Sequence, residues 1–204
     1  ELEEKIAAIC GRKFAVGVAS GTSAIVLALR ALEIGPGDRV VTSALSWLAS
    51  GTSISLVGAE PVFADVREDF NIDPDAMEMA IDSHCKAILP VNYAGKICDY
   101  SRILNTARVA GIPAIEDASQ SIGALRGSQP AGSYGLISVI ILNPMKVFGG
   151  LGQGCRRRGL RRGGHHVLNL LRLALLLLRL PPLPSLLPHP PPHHHYSLHL
   201  PPLP

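Results

Sequence analysis

Three short segments of this sequence carry groups that could bind a phosphate, hold a negative charge and attack a carbonyl carbon. Ser20-Gly21-Thr22-Ser23-Ala24 stands between an apolar run and a helical pattern, and the free backbone N–H groups at a helix start favour a phosphate. Glu116-Asp117-Ala118-Ser119-Gln120 follows a strand pattern, at the position where open α/β sheets place ligand contacts. Lys146 follows another apolar strand pattern, in a loop rich in Pro and Gly.

Each segment also has a purely structural interpretation. Gly followed by Ser or Thr is common in ordinary helix caps, and an acid after a strand can cap the next helix. Most lysines are solvated surface charges, although desolvation in such a loop would make the Lys146 amine a better nucleophile for imine formation. The residue types alone therefore leave both interpretations open.

These segments are set in an alternation of strand and helix patterns. The sequence predicts helices over residues 2–9, 24–32, 47–57, 74–81 and 99–110, and strands over residues 14–18, 39–42, 61–66, 86–91, 113–116 and 137–142. Strands that alternate with helices imply crossover connections. The predicted fold is an α/β three-layer sandwich with a mainly parallel sheet.

The composition changes near residue 154. Every Asp and Glu lies at or before Asp117, whereas seven of the eight His lie after Cys155. We therefore predict a globular domain over residues 1–154 and a low-complexity Arg/Leu/Pro/His tail over residues 155–204.

The tail has two interpretations. Arg, Gly, Pro, Leu and His are the residues that GC-rich codons produce when they are read out of frame, which indicates a frameshift near codon 154. The alternative is a genuine disordered tail. In either case we predict no packed tertiary structure over residues 156–204, apart from a short helix in the Leu-rich part at 167–180.

Composition disfavours several classes of protein. Nothing up to Gln153 indicates a nucleic-acid partner, and the four cysteines lack the paired short spacing of a metal site. The Leu-rich part is too short for a membrane span and is interrupted by Arg172 and Arg179. The N-terminus shows no secretory pattern. We therefore expect a cytoplasmic protein with no metal, no membrane and no nucleic-acid partner.

Taken in order, the motifs resemble the DegT/DnrJ/StrS family of sugar aminotransferases, a branch of the aspartate-aminotransferase fold. The resemblance runs from residue 4 to residue 154. Besides the three segments above it includes Gly35-Pro36-Gly37-Asp38, Gly58-Ala59-Glu60-Pro61-Val62-Phe63-Ala64-Asp65, Asn71-Ile72-Asp73-Pro74 and Lys86-Ala87-Ile88-Leu89-Pro90-Val91-Asn92-Tyr93-Ala94-Gly95. It implies that residues 1–154 are the large domain, incomplete, of a type I transferase that depends on pyridoxal 5′-phosphate.

The resemblance also implies roles for individual residues. Lys146 matches the lysine that forms an imine with the cofactor, and Asp117 the acid that pairs with the pyridine nitrogen and keeps the ring an electron sink. Trp47 falls where the family stacks an aromatic residue on the ring, with a core aromatic as the alternative interpretation. Gln120 matches a polar contact near the phenolic oxygen. The phosphate cradle corresponds to Gly21, Thr22 and Ser23.

Two departures from the family pattern concern the same site. The family usually has a serine five residues before the lysine, where it contributes to the phosphate site, but this chain has Ile141. The usual Gly-Asp pair reads Gly135-Leu136. We therefore expect an active site that lacks one phosphate contact.

The resemblance implies an aminotransferase that moves an amino group, with glutamate as the expected donor, to a nucleotide-linked keto sugar, and that acts as a homodimer. We expect this particular chain to be an inactive fragment. One alternative is dehydration of a nucleotide sugar, but the family dehydratases replace the lysine with histidine. The other is a non-catalytic fragment or regulator, whose basic cluster at 156–162 would bind anions.

Overall fold

The computed structural model describes residues 1–142 and residues 174–178. Its helices are α1 (Leu2–Ile9), α2 (Gly21–Ala31), α3 (Ala49–Leu56), α4 (Pro74–Met79) and α5 (Tyr100–Ala110). Its strands are β1 (Phe14–Val18), β2 (Arg39–Ser43), β3 (Glu60–Ala64), β4 (Cys85–Leu89), β5 (Ile115–Asp117), β6 (Leu125–Arg126), β7 (Gln129–Pro130), β8 (Ile137–Ile141) and β9 (Ala174–Leu178).

Apart from β6 and β7, the described strands form two sheets that are bridged to each other. One has the order β3-β2-β4 and the other the order β5-β8-β9-β1. Parallel bridges join Ile88 to Ala114 and Val91 to Asp117, so β5 lies beside β4 and the order becomes β3-β2-β4-β5-β8-β9-β1. β2 runs parallel to β3 and β4, β5 runs parallel to β8, and β9 runs antiparallel to both of its neighbours.

Alternate residues of the central strands enter two separate cores. Val40 and Leu89 pack with α2 and α3, whereas Val41 and Ile88 pack with α1, α4 and α5. This alternation follows from the two-residue period of a strand. The chain is therefore a three-layer α/β sandwich with a mainly parallel sheet, and the predicted fold class is confirmed.

Residues 174–178 contradict the prediction for the tail. They form a strand between β1 and β8, in which Phe14 and Ile137 both pair with Leu178, and not a helix or an unpacked segment. The Leu177 side chain is fully buried. The segment between β1 and β8 pairs its backbone groups on both sides, with strand edges that would otherwise stay unpaired. The remaining residues of the tail lie outside the described residues.

The short β6–β7 hairpin is an addition to the predicted elements. Of the helices that the structure describes, none has the length and the apolar composition that crossing a membrane requires.

Candidate functional site

A cavity of about 520 Å³ lies beside the start of α2 and the carboxyl end of β5. The strands β1, β2, β5 and β8 all run in one direction, so their carboxyl ends and the segments that follow them meet at one edge of the sheet. The cavity is lined by residues of four such segments, namely Ala19, Ser20, Gly21, Thr22, Ile25, Ser46, Trp47, Ala49, Ser50, Asp117, Ser119, Gln120 and Ile141.

Most of the residues singled out from the sequence meet in this cavity. Gly21, Thr22, Trp47, Asp117 and Gln120 all line it. Ser23 is not among the lining residues, and its hydroxyl lies 2.9 Å from the Ser20 hydroxyl within the helix cap. Lys146 lies outside the described residues.

The start of α2 presents backbone donors to the cavity. Ser20 is the N-cap, and its Oγ accepts a hydrogen bond from Ser23 N at 3.1 Å. Ala24 N donates to the carbonyl oxygen of Ser20 at 2.9 Å. The N–H groups of Gly21 and Thr22 precede these and have no acceptor within the helix. They are therefore suited to an anion in the cavity.

Ile141 covers part of this helix start. A Cβ atom placed on Gly21 would stand 2.7 Å from Ile141 Cγ1, closer than real carbon atoms approach. A larger residue at position 21 would therefore require the Ile141 side chain to move. Where the sequence pattern calls for a serine, the chain offers a hydrocarbon surface that donates no hydrogen bond.

Asp117 ends β5 and is nearly buried, with 5% of its surface exposed. Both backbone polar groups of Asp117 are paired with the neighbouring segment. Asp117 N donates to Pro90 O, and Asn92 N donates to Asp117 O, both at 3.0 Å. Its Oδ1 accepts a hydrogen bond from Ser119 N at 3.0 Å. The carboxyl group is therefore fixed by its own turn at the cavity wall.

Trp47 projects from the segment between β2 and α3. Its side chain is 70% exposed, so the alternative interpretation of Trp47 as a core aromatic is wrong. An indole ring at the edge of a cavity presents a flat apolar face to a ligand.

Two further polar residues follow Asp117. Gln120 Oε1 accepts a hydrogen bond from Ala94 N at 3.1 Å. Ser119 Oγ is buried and has no hydrogen-bond partner among the described residues. Sequence reasoning did not assign Ser119, although it stands inside a segment that was singled out. Its hydroxyl is a polar atom that a ligand could satisfy.

Comparisons with known proteins identify relatives of most of the chain. Residues 1–155 match the DegT/DnrJ/EryC1/StrS aminotransferase family. A UDP-2-acetamido-2-deoxy-3-oxo-D-glucuronate aminotransferase of Pseudomonas aeruginosa is 36% identical over 155 residues, which are 76% of this chain and 43% of that protein. A UDP-N-acetyl-3-dehydro-alpha-D-glucosamine 3-aminotransferase of Acidithiobacillus ferrooxidans is 42% identical over 154 residues, 75% of this chain and 42% of the relative.

Solved structures show the same fold. An aminotransferase of Psychrobacter cryohalolentis superposes with a TM-score of 0.72 at 29% identity, over 86% of this chain and 40% of that one. The protein NtdA of Bacillus subtilis with bound cofactor PMP gives a TM-score of 0.70 at 29% identity, over 86% of this chain and 35% of that one. The chain thus spans about two fifths of the length of the curated relatives that it matches.

Proposed function

Since the chain belongs to the DegT/DnrJ/EryC1/StrS aminotransferase family, we propose that its cavity binds pyridoxal 5′-phosphate and that the whole protein transfers an amino group to a nucleotide-linked keto sugar. The observation that carries the proposal is the meeting of a helix start, an exposed indole and a buried carboxyl group in one cavity. These three kinds of group complement a phosphorylated aromatic ring with a basic nitrogen.

The described residues fit this cofactor. The N–H groups of Gly21 and Thr22, with the cap formed by Ser20 and Ser23, would hold the phosphate. Asp117 would pair with the pyridine nitrogen, and Trp47 would cover one face of the ring. When bound, the protonated ring withdraws electrons from the group attached to it.

Two polar residues extend the fit to the rest of the ring. Gln120 would contact the phenolic oxygen, and the Ser119 hydroxyl, which has no hydrogen-bond partner in the described part of the chain, could add a donor. Lys146 is proposed, from the motif alone, as the amine that holds the cofactor and moves the proton.

The proposed sugar substrate is supported by the names of the curated relatives. The two curated relatives named above are aminotransferases of UDP-linked oxo sugars. We accordingly propose a nucleotide-linked keto sugar as acceptor and glutamate as donor, in a cytoplasmic homodimer. A dehydratase is not favoured, because that reading requires a histidine at position 146. The anion-binding alternative concerns a basic cluster outside the described residues.

We further propose that this 204-residue chain transfers amino groups very slowly or not at all. Ile141 takes the place of a hydroxyl donor to the phosphate, and one hydrogen bond to a charged group contributes about 1.5–3 kcal/mol. Orientation of the reacting groups can account for roughly 7–11 kcal/mol of a barrier. If the phosphate is held loosely, the reacting groups are less well oriented and part of this reduction of the barrier is lost.

Titration of the purified chain with pyridoxal 5′-phosphate, followed by absorbance near the visible edge, tests cofactor binding. We expect saturable binding that Asp117→Asn weakens by about tenfold, the equivalent of one charge-assisted contact. The matched control is Asp65→Asn, which changes an exposed carboxyl group. Absence of saturable binding in the wild-type chain, or equal binding by both variants, would contradict the proposal.

Amino transfer is assayed separately, from glutamate to a UDP-linked keto sugar. Turnover on the scale of about 1 per second or faster would overturn the proposal that this chain is inactive, and would leave the assignment of the cofactor intact.

A further inference from the structure

The side-chain amide of Asn92 joins three segments of the chain in the core next to the cavity. Asn92 is fully buried. Its Nδ2 donates to Glu116 Oε1 at 3.0 Å and to Ser121 Oγ at 3.1 Å. Its Oδ1 accepts from Cys98 N at 3.0 Å. The amide thus uses both of its hydrogens and one oxygen lone pair.

The partners determine which way the amide points. A carboxylate oxygen only accepts hydrogen bonds, and a backbone N–H only donates. The nitrogen of Asn92 therefore has to face Glu116, and its oxygen has to face Cys98. A flipped amide would set oxygen against oxygen and N–H against N–H, in a core where each unpaired polar group is costly.

The two residues that receive hydrogen bonds from Nδ2 flank the site segment. Glu116 directly precedes Asp117, and Ser121 directly follows Gln120. The backbone of Asn92 adds a third contact, because its N–H donates to Asp117 O at 3.0 Å. One residue on the neighbouring segment therefore holds both ends of the turn that presents Asp117, Ser119 and Gln120 to the cavity.

We propose that Asn92 is a positioning residue for the cofactor site. It fixes residues 117–120 without touching the cavity, since it is absent from the lining residues. The effect on the cofactor rests on the proposed function. The three hydrogen bonds from Asn92 to residues 116–121, here called the clamp, do not depend on it.

The first measurement is hydrogen exchange of the 204-residue chain without cofactor. Asn92→Ala should speed exchange of the amides in residues 117–122 by about tenfold or more relative to the rest of the sheet, because local opening of the turn no longer breaks two side-chain hydrogen bonds. The control is Thr42→Val, which removes the buried hydrogen bond from Thr42 Oγ1 to Leu89 O and leaves the turn unchanged. Uniform acceleration across the sheet in Asn92→Ala would show general destabilisation and overturn the proposal.

The second measurement uses pyridoxal 5′-phosphate. Asn92→Ala should lower its affinity by about tenfold and shift the pH at which the absorbance of the bound cofactor changes, since Asp117 is less firmly aimed. Ser121→Ala removes only one end of the clamp and should produce the same changes at smaller size. This milder variant tests the proposal if Asn92→Ala does not fold.

The two measurements distinguish failure of the proposed cofactor binding from failure of the proposed role of Asn92. If the wild-type chain does not bind the cofactor, the proposed function fails, and hydrogen exchange still decides whether Asn92 clamps the turn. If the wild-type chain binds, and both Asn92→Ala and Ser121→Ala keep its affinity and absorbance titration, the positioning role is refuted.

Discussion

The guanidinium of Arg12 and the carboxylate of Glu116 are joined through a single hydroxyl group. Arg12 Nη2 donates to Ser138 Oγ at 2.7 Å, and Ser138 Oγ donates to Glu116 Oε2 at 2.9 Å. Glu116 also accepts from the backbone N–H groups of Gly132 and Tyr134 at 2.7 and 2.9 Å. The two opposite charges thus lie in the core, with the carboxylate surrounded by donors.

Glu116→Gln should therefore lower the free energy of unfolding by about 3–5 kcal/mol. The variant places an NH2 group against donors and removes the negative charge from a buried network that also holds the Arg12 guanidinium. Glu60→Gln is the control, since Glu60 forms an exposed ion pair with Arg39 that contributes about 1 kcal/mol or less. Urea unfolding of both variants measures the difference. Similar losses in the two would contradict this account of the network.

Ile141→Ser should strengthen binding of pyridoxal 5′-phosphate by about tenfold or more, because a hydroxyl beside the helix start adds a hydrogen bond to a charged group. Ile141→Val is the control, as it shortens the side chain and keeps it apolar. Absorbance titration gives both affinities. An equal gain in the two variants would show that space, and not the hydroxyl, limits binding.

Gly21→Ala should destabilise the chain and weaken cofactor binding, because its methyl group would meet Ile141. Gly35→Ala is the matched control, since a Cβ atom there comes no nearer than 3.7 Å to another residue. Thermal unfolding and cofactor titration test both variants. The double variant Gly21→Ala with Ile141→Ala should recover stability, and failure to recover would locate the clash elsewhere.

Leu177→Ala should cost about 2–5 kcal/mol of unfolding free energy, the usual range for a buried leucine. Leu177 is fully buried, whereas the control Leu56 is 62% exposed, so Leu56→Ala should change stability little. Urea unfolding measures both. If Leu177→Ala were as mild as the control, β9 would not be part of the folded sheet in solution.

Stability should fall as the pH rises above about 8.5, where unfolded thiols ionise. Burial, and secondly the negative charge of Glu116, raises the pKa of Cys10 to about 12. The folded thiol therefore keeps its proton at a pH where the unfolded thiol has lost it, so the unfolded state binds fewer protons and gains in population. Burial raises the pKa of Cys98 and of Tyr100 in the same direction.

Cys10→Ala should remove part of this pH dependence, by about 1–2 kcal/mol between pH 8 and pH 10. Urea unfolding at the two pH values provides the measurement. A variant whose stability fell as steeply as that of the wild-type chain would exclude Cys10 as a source.

The sequence alone predicted the type and approximate bounds of the helices and strands that have a regular hydrophobic pattern. The strand predicted at 39–42 is Arg39–Ser43, and the helix predicted at 99–110 is Tyr100–Ala110. The helix predicted at 24–32 starts earlier, at Gly21, because the Ser20 cap and not the apolar pattern determines where it begins.

Long-range contacts explain what the sequence could not predict. The segment Ala174–Leu178 has no strand period, and its conformation depends on the slot between β1 and β8. Asn92 was visible only as part of a motif, since its partners Glu116 and Ser121 are distant in sequence. The cavity position of Asp117 was expected because a parallel strand precedes it. The role of Lys146 remains a prediction from its motif.

The position of β9 also bears on how this chain folds during synthesis. β1 leaves the ribosome long before its partner Ala174–Leu178 is made. Closing so large a loop is entropically costly, and such non-local pairing slows folding. Until β9 has been made and has paired with them, β1 and β8 each expose an unpaired edge, which is a template for pairing with other nascent chains.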